Sequence, residues 1–314
     1  MKGRVICGLL PVTLPLGTAL ADRGMIFIGR PSVSIYEPGQ KAIVAWNRGM
    51  EVLILATDTR APQEGKALGV LPLPSAPKVE KGSLDSFVAV QRLIWKNALR
   101  LSGAVRGKIS SPQGVRIVFR KRIGAHNLTA VEAGSVQAFI RWAEEFVRKH
   151  ARSNLGALPA EWRATVADYI KRGVRFFVFD LIDIGREERT IEPLVYTFKS
   201  RRPFYPLKIS RPMGGLTKVQ VFLLTPKMPD IFSMRGPLAV ATYKAPFGWR
   251  PILFKVSYHE LKAISPKISS LLGKGGGYFC ALQYKGPASG LYADLEIRGF
   301  LRAVALSLKL RRRG

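Results

Sequence analysis

The sequence predicts an α+β fold, antiparallel and β-rich, with two to three amphipathic helices in the middle of the chain. Three observations carry this. Short apolar runs with turn residues between them fill the first quarter and the last third of the chain, and apolar residues recur at helical spacing between them. The order of strands, then helices, then strands again argues against a regular βαβ winding. With 47% apolar and 10% aromatic residues among 314, the chain can bury a substantial core. Charge and hydrophobicity are interleaved, which excludes a low-complexity disordered chain.

Taken in order, Lys2 and Arg4 precede an uncharged, mostly apolar run from Val5 to Thr18, and Ala19-Leu20-Ala21 follows as a small-x-small site. These are the three parts of a secretory signal peptide. Pro11 and Pro15 interrupt the run, which falls short of the 20 or so apolar residues of a comfortable spanning helix. Cleavage after Ala21, retention as an anchor, and a buried N-terminal strand or helix are the readings of this segment. Cleavage would remove Lys2 and Arg4 from a net charge of +29, leaving +27, and would leave Cys280 as the one thiol.

Strands are expected at Ser32 to Tyr36, Lys41 to Trp46, Met50 to Thr57 and Ala67 to Pro72. Asn47-Arg48-Gly49 tolerates positive φ and should close an antiparallel hairpin. The proline-rich stretch Val70 to Pro77 cannot be a central strand throughout, because proline lacks the ladder donor, and is expected as an extended connector. From Ser83, an N-cap, Leu84, Phe87, Val88, Gln91, Ile94, Trp95, Ala98 and Leu101 follow a helical period.

Val115 to Lys121 and Asn127 to Glu132 then read as strands. A second helix, capped by Ser135, presents Val136, Phe139, Ile140, Ala143, Phe146 and Val147. A third runs from Pro159 to Lys171 and stops at Gly173. Val174 to Asp180 is apolar enough for a buried strand. The remaining strands are expected at 190–199, 208–211, 219–224, 238–243, 252–256, 278–284 and 291–298, with a short helix near His259 to Leu272.

Several stretches resemble a known family. Asp22-Arg23-Gly24-Met25-Ile26 and Val33 to Asn47 are similar to the opening of the mature part of an uncharacterised secreted family, domain of unknown function 2330. Leu71 to Pro77 resembles its "PxPS.P.V" element and Ile123 to Thr129 its "vG.ydvtV" strand. Trp142 matches a Trp-bearing helix, and Tyr169, Gly173 and Phe176 a "Y...G.rF" stretch. Pro206 to Ser210 with Gly214-Gly215 matches a later strand. The resemblance spans about residues 22 to 228, in the form with Glu37-Pro38-Gly39-Gln40-Lys41 associated with archaeal members. It implies export and residence at the cell envelope and supplies no catalytic residue. The Cys-rich start of many bacterial members is missing. The expected organisation is a signal peptide at 1–21, a family-like α+β domain at 22–228, and a β-rich extension with a basic tail at 229–314.

The excess of 50 Lys+Arg over 21 Asp+Glu is the largest chemical signal. It concentrates in Arg116 and Arg120-Lys121-Arg122, in Arg201-Arg202, and in the tail with Lys309 and Arg311-Arg312-Arg313. Such a field holds polyanions, and for an exported protein these are lipid headgroups, an envelope glycan or an extracellular polyanion. A solvated face that only keeps the protein soluble is the plainer reading. Leu301, Val304, Ala305 and Leu308 give the tail an apolar stripe suited to a membrane surface or to packing on the fold. No helix-turn-helix, zinc-finger or RNA-binding signature occurs, so specific nucleic-acid recognition is not expected. Docking on another envelope protein through an exposed strand edge is a further possibility.

Two cysteines exclude a disulfide-rich scaffold and a cysteine-based zinc finger. Cys280 reads as a small buried hydrophobe. His126, His150 and His259 lack metal-ligand spacing and read as surface or capping residues, so no metal and no cofactor is expected. Glu144-Glu145, Glu187-Glu188 and Asp180 with Asp183 are the acid pairs a secreted hydrolase would need, but sequence cannot place them across a cleft. Gly273-Lys274-Gly275-Gly276-Gly277 lacks phosphate-loop spacing and reads as a flexible hairpin or linker. Asn127-Leu128-Thr129 is an N-glycosylation sequon. Sparse Asn and Gln beside plentiful Arg and Pro lean toward a thermophile.

Overall fold

The computed structural model describes residues 26–28, 40–59, 65–102, 126–150, 158–184, 186, 189–213, 215–246 and 248–301. Its first strands are β1 (Ile26–Ile28), β2 (Gln40–Asn47), β3 (Met50–Thr59), β4 (Gly65–Leu73) and β5 (Lys78–Lys81), followed by α1 (Asp85–Ser102). Next come β6 (His126–Glu132), α2 (Val136–His150), α3 (Ala160–Lys171), β7 (Phe176–Ile184), β8 (Arg189–Lys199), β9 (Phe204–Tyr205) and β10 (Leu216–Thr225). The chain continues with β11 (Ala239–Val240), β12 (Thr242–Ala245), β13 (Gly248–Pro251), β14 (Leu253–Val256), α4 (Tyr258–Ile264), α5 (Pro266–Leu272), β15 (Gly277–Pro287) and β16 (Leu295–Glu296). This is the expected α+β fold.

Two sheets form its centre. The larger runs β11-β15-β10-β2-β3-β8-β5, with β14 also on β15; the smaller runs β1-β4-β7-β6. Every pairing in them is antiparallel except β10 against β2. The strand alternation sorts side chains into three cores. Ala42, Val44, Leu53, Leu55, Val221 and Leu282 of the larger sheet meet Leu71, Leu73 and Val178 of the smaller. The opposite face of the larger sheet, with Ile43, Ile54, Phe222 and Phe279, is covered by Phe87 and Val90 of α1, Leu261 of α4 and Ile268 of α5. Leu68, Phe177 and Phe179 on the outer face of the smaller sheet are covered by α2 and α3. The layers therefore run helix, sheet, sheet, helix.

Local chemistry places the joints. Arg48 and Gly49 both have positive φ, at 46° and 81°, the two-residue turn that matches strand twist and holds β2 against β3. The Ser135 hydroxyl accepts from Ala138 N at 3.2 Å and starts α2, whose Phe139, Ala143 and Val147 form one buried stripe. Phe139 packs on Phe177 at 4.3 Å between centroids. Gly173 stops α3 with φ 83°. Asp85 N donates to Ser83, so α1 starts two residues after the expected cap.

The proline-rich stretch divides. β4 continues through Pro72, which pairs with Phe177 of β7, and residues 74–77 form the connector. The strand expected at 208–211 is a 3-10 turn, Lys208–Met213. Its donors go to side chains instead of a ladder: Lys208 N to Asp294 and Ile209 N to the Tyr169 hydroxyl. The strand expected at 291–298 shrinks to β16. The strands expected at 32–36 and 115–121 lie outside the described residues.

Candidate functional site

A cleft of about 1480 Å³ opens where the C-terminus of α3 meets the loop between β8 and β9 and the segments at 234–236 and 292–298. Its lining is dominated by cations: Arg172, Lys199, Arg201, Arg202, Lys208, Arg235 and Arg298, against the acids Asp168, Asp294 and Glu296.

The loop carrying Arg201 and Arg202 is held at several points. Ser200 N donates to Gly49 O at 2.9 Å, and Trp46 Nε1 donates to Ser200 O at 2.8 Å. Lys199 N donates to Ser75 Oγ at 2.8 Å, which donates back to Lys199 O at 2.9 Å. The β2–β3 turn and the proline-rich connector thus fix the loop backbone, while the Arg201 and Arg202 side chains stay exposed. Where the loop enters β9, Phe204 N donates to Glu51 Oε2 at 2.8 Å. Glu51 is fully buried, and burial pushes its carboxyl well above the ordinary 4.5 despite that bond.

The acids of the cleft are engaged. Asp294, 8% exposed, accepts from the Tyr169 hydroxyl at 2.5 Å, from Arg172 at 3.0 Å and from Lys208 N at 3.0 Å. Asp168 takes Arg172 and Lys208 Nζ, each at 2.9 Å. Partial burial pushes the Asp168 carboxyl up, but the two cations win and hold it below its ordinary value. Burial opposes the Arg172 charge, yet Asp294 and Asp168 outweigh it and hold the guanidinium's proton more tightly. Glu296 takes Arg202 at 2.8 Å and Arg298 at 3.7 Å. Lys199, Arg201 and Arg235 are exposed and make no ion pair with a carboxylate among the described residues. The cleft therefore presents uncompensated positive charge.

Of the basic residues singled out in the sequence, Arg201 and Arg202 line this cleft, whereas Arg120, Lys121, Arg122, Arg311, Arg312 and Arg313 lie outside the described residues. Their partners Arg172, Lys208, Arg235 and Arg298 were not legible as site residues, since they come from four separate segments. Asn127 is exposed on β6, an edge strand of the smaller sheet.

His126 is not a surface or capping residue. Its side chain is 1% exposed between the sheets, with Nδ1 2.7 Å from Asp180 Oδ2 and Nε2 donating to Glu192 O of β8 at 2.8 Å. β7 and β6 belong to one sheet and β8 to the other, so the ring ties them together. Burial drives this: the pleat that points Val178 into the inter-sheet core points Asp180 and His126 there too. His150 Nδ1 lies 2.8 Å from Phe146 O at the end of α2, and His259 is exposed on α4.

Asp183 is on the surface, paired with Lys66 at 2.6 Å, and so does not join Asp180. Glu144 Oε1 accepts from Leu158 N at 3.3 Å, Glu145 is exposed, and Glu187-Glu188 lie outside the described residues. The glycine run forms the turn between α5 and β15, where Gly276 has φ 72° and a Cβ on it would clash with Val256 O, while Gly273 and Gly275 have open space. Cys280 is buried and burial pushes its thiol up to about 12. No cluster of three metal-binding side chains occurs among the described residues. No helix among them is long and apolar enough to cross a membrane.

Such a fold with a basic cleft defines an α+β protein of two stacked, helix-covered sheets. The chain belongs to the family domain of unknown function 2330, described as an uncharacterized protein conserved in bacteria, which matches residues 24–235. That description lends no support to the archaeal association. No curated protein matches. Among solved structures the chain is distantly similar to the crystal structure of baculovirus P35, at 10% identity and a TM-score of 0.45, over 85% of this chain and 98% of that one. The caspase-8/P35 complex matches at 10% identity and a TM-score of 0.41, over 83% and 97%.

Proposed function

We propose that this protein is exported to the cell envelope and holds an anionic chain, such as an envelope glycan or other extracellular polyanion, in its basic cleft, without catalysing a reaction. The observation that carries the reading is the charge balance of the cleft. Its three acids are taken up by Arg172, Lys208, Arg202 and Arg298, and Lys199, Arg201 and Arg235 remain to meet a ligand. The concavity suits a chain that can enter it, and the pinned loop lowers the ordering cost of binding. The signal-like residues 1–21 support export.

The hydrolase alternative asks for an acid with freedom to give or take a proton. Asp168, Asp294 and Glu296 are each tied to a cation, which favours holding charge over transferring protons.

The reading is tested by expressing the native gene in its host, fractionating the cells and determining the protein N-terminus by mass spectrometry. A start at Asp22 and release from the envelope by high salt are expected, with release at lower salt for a K199E/R201E/R235E variant. An intact Met1 in the soluble cytoplasmic fraction would contradict it.

A further inference from the structure

A second surface lies in the ribbon β12–β13. These strands pair only with each other, Thr242↔Pro251 through Ala245↔Gly248, and join neither central sheet. Such a two-stranded ribbon is marginal alone, and here its inner side rests on the fold: Ala245 is buried and the hydroxyl of Tyr243 is out of solvent. The pleat then turns the opposite side outward, and the cross-strand pair Lys244↔Trp249 sits on it. Trp249 is 68% exposed.

Along the chain, the charge on either side of this tryptophan has one sign. From Ile231 to His259 the sequence contains no Asp or Glu, while Lys244 and Arg250 of the ribbon are exposed and form no ion pair with a carboxylate among the described residues. An exposed indole with an apolar body and a polar N–H, flanked along the chain by cations, fits the headgroup layer of an anionic bilayer. A protein partner would be expected to meet some compensating charge of both signs.

We propose that the β12–β13 ribbon is a membrane-surface contact, in which Trp249 enters the interfacial layer and Lys244 beside it on the outward face takes an anionic lipid headgroup. It is separate from the cleft and does not depend on what the cleft holds.

The test uses the full chain with phosphatidylcholine vesicles lacking or containing about 30% phosphatidylglycerol, read by co-sedimentation and tryptophan emission. Wild type is expected to sediment with the anionic vesicles only and to shift its emission to the blue, a shift that Trp249→Phe removes. Loss of one cation near the surface should weaken binding about 5-fold in a K244A variant. An R201E/R202E variant should bind vesicles as wild type does. No partition of wild type, as expected if the ribbon serves a protein partner, would overturn the proposal. So would K244A and Trp249→Ala variants, shown folded by circular dichroism, that bind unchanged, or binding lost only with R201E/R202E.

Discussion

The hydroxyl of Tyr169 donates to Asp294 across 2.5 Å, joining side chains 125 residues apart. The same oxygen accepts from Ile209 N at 3.1 Å, and Asp294 also holds Arg172. Burial and the nearby Asp294 charge push the Tyr169 hydroxyl well above its ordinary value, so it remains a neutral donor. One buried phenol thus connects α3, the 3-10 turn and the wall of the cleft.

Tyr169→Phe keeps the ring and removes this junction. It leaves Ile209 N and Asp294 short of partners, at a cost of about 2 kcal/mol in urea unfolding. Stability equal to wild type would show that the junction contributes nothing.

In the inter-sheet core His126 Nδ1 lies 2.7 Å from Asp180 Oδ2, and Nε2 donates to Glu192 O at 2.8 Å. Removing one partner strands the other in the inter-sheet core. Asp180→Ala and His126→Ala are each expected to lose about 3 kcal/mol in the same assay. A double variant should cost less than the sum of the two.

Glu51 gives a pH signature. Its folded carboxyl is raised by burial, so above the ordinary 4.5 the folded state retains a proton that the unfolded state has released. Its contribution to stability is therefore fully present below about pH 4.5 and is lost as pH rises through the folded value. Glu51→Gln should flatten this decline in urea midpoints measured from pH 4 upward. A Glu51→Gln profile parallel to wild type would contradict the assignment.

Cys280, buried and with its thiol near 12, should resist iodoacetamide at pH 8 in the folded protein and react on unfolding, as read by peptide mapping. Labelling of the folded protein at a free-thiol rate would contradict its placement.

Much of the fold is legible in the sequence because its cause is local. The Arg48-Gly49 turn, the Ser135 cap, the Gly173 stop and the Phe139, Ala143, Val147 stripe each depend on residues a few positions apart. The errors have a common source in distant partners. Residues 208–211 give up strand structure because Asp294 and Tyr169 take their donors. His126 is buried because β8, far along the chain, closes over it. The cleft was legible only at Arg201-Arg202, where charge gathers in one loop, since Arg172, Arg235 and Arg298 are brought to it by topology.

The central claim is that uncompensated charge in the cleft binds an anionic chain, and the direct measurement is a calorimetric titration of the full protein with heparin, a sulfated glycan, over a salt series. The account predicts affinity falling steeply with salt. It further predicts roughly a 100-fold loss in K199A/R201A/R235A, at about 1 kcal/mol for each exposed contact. Binding that ignores both salt and these three substitutions would contradict it.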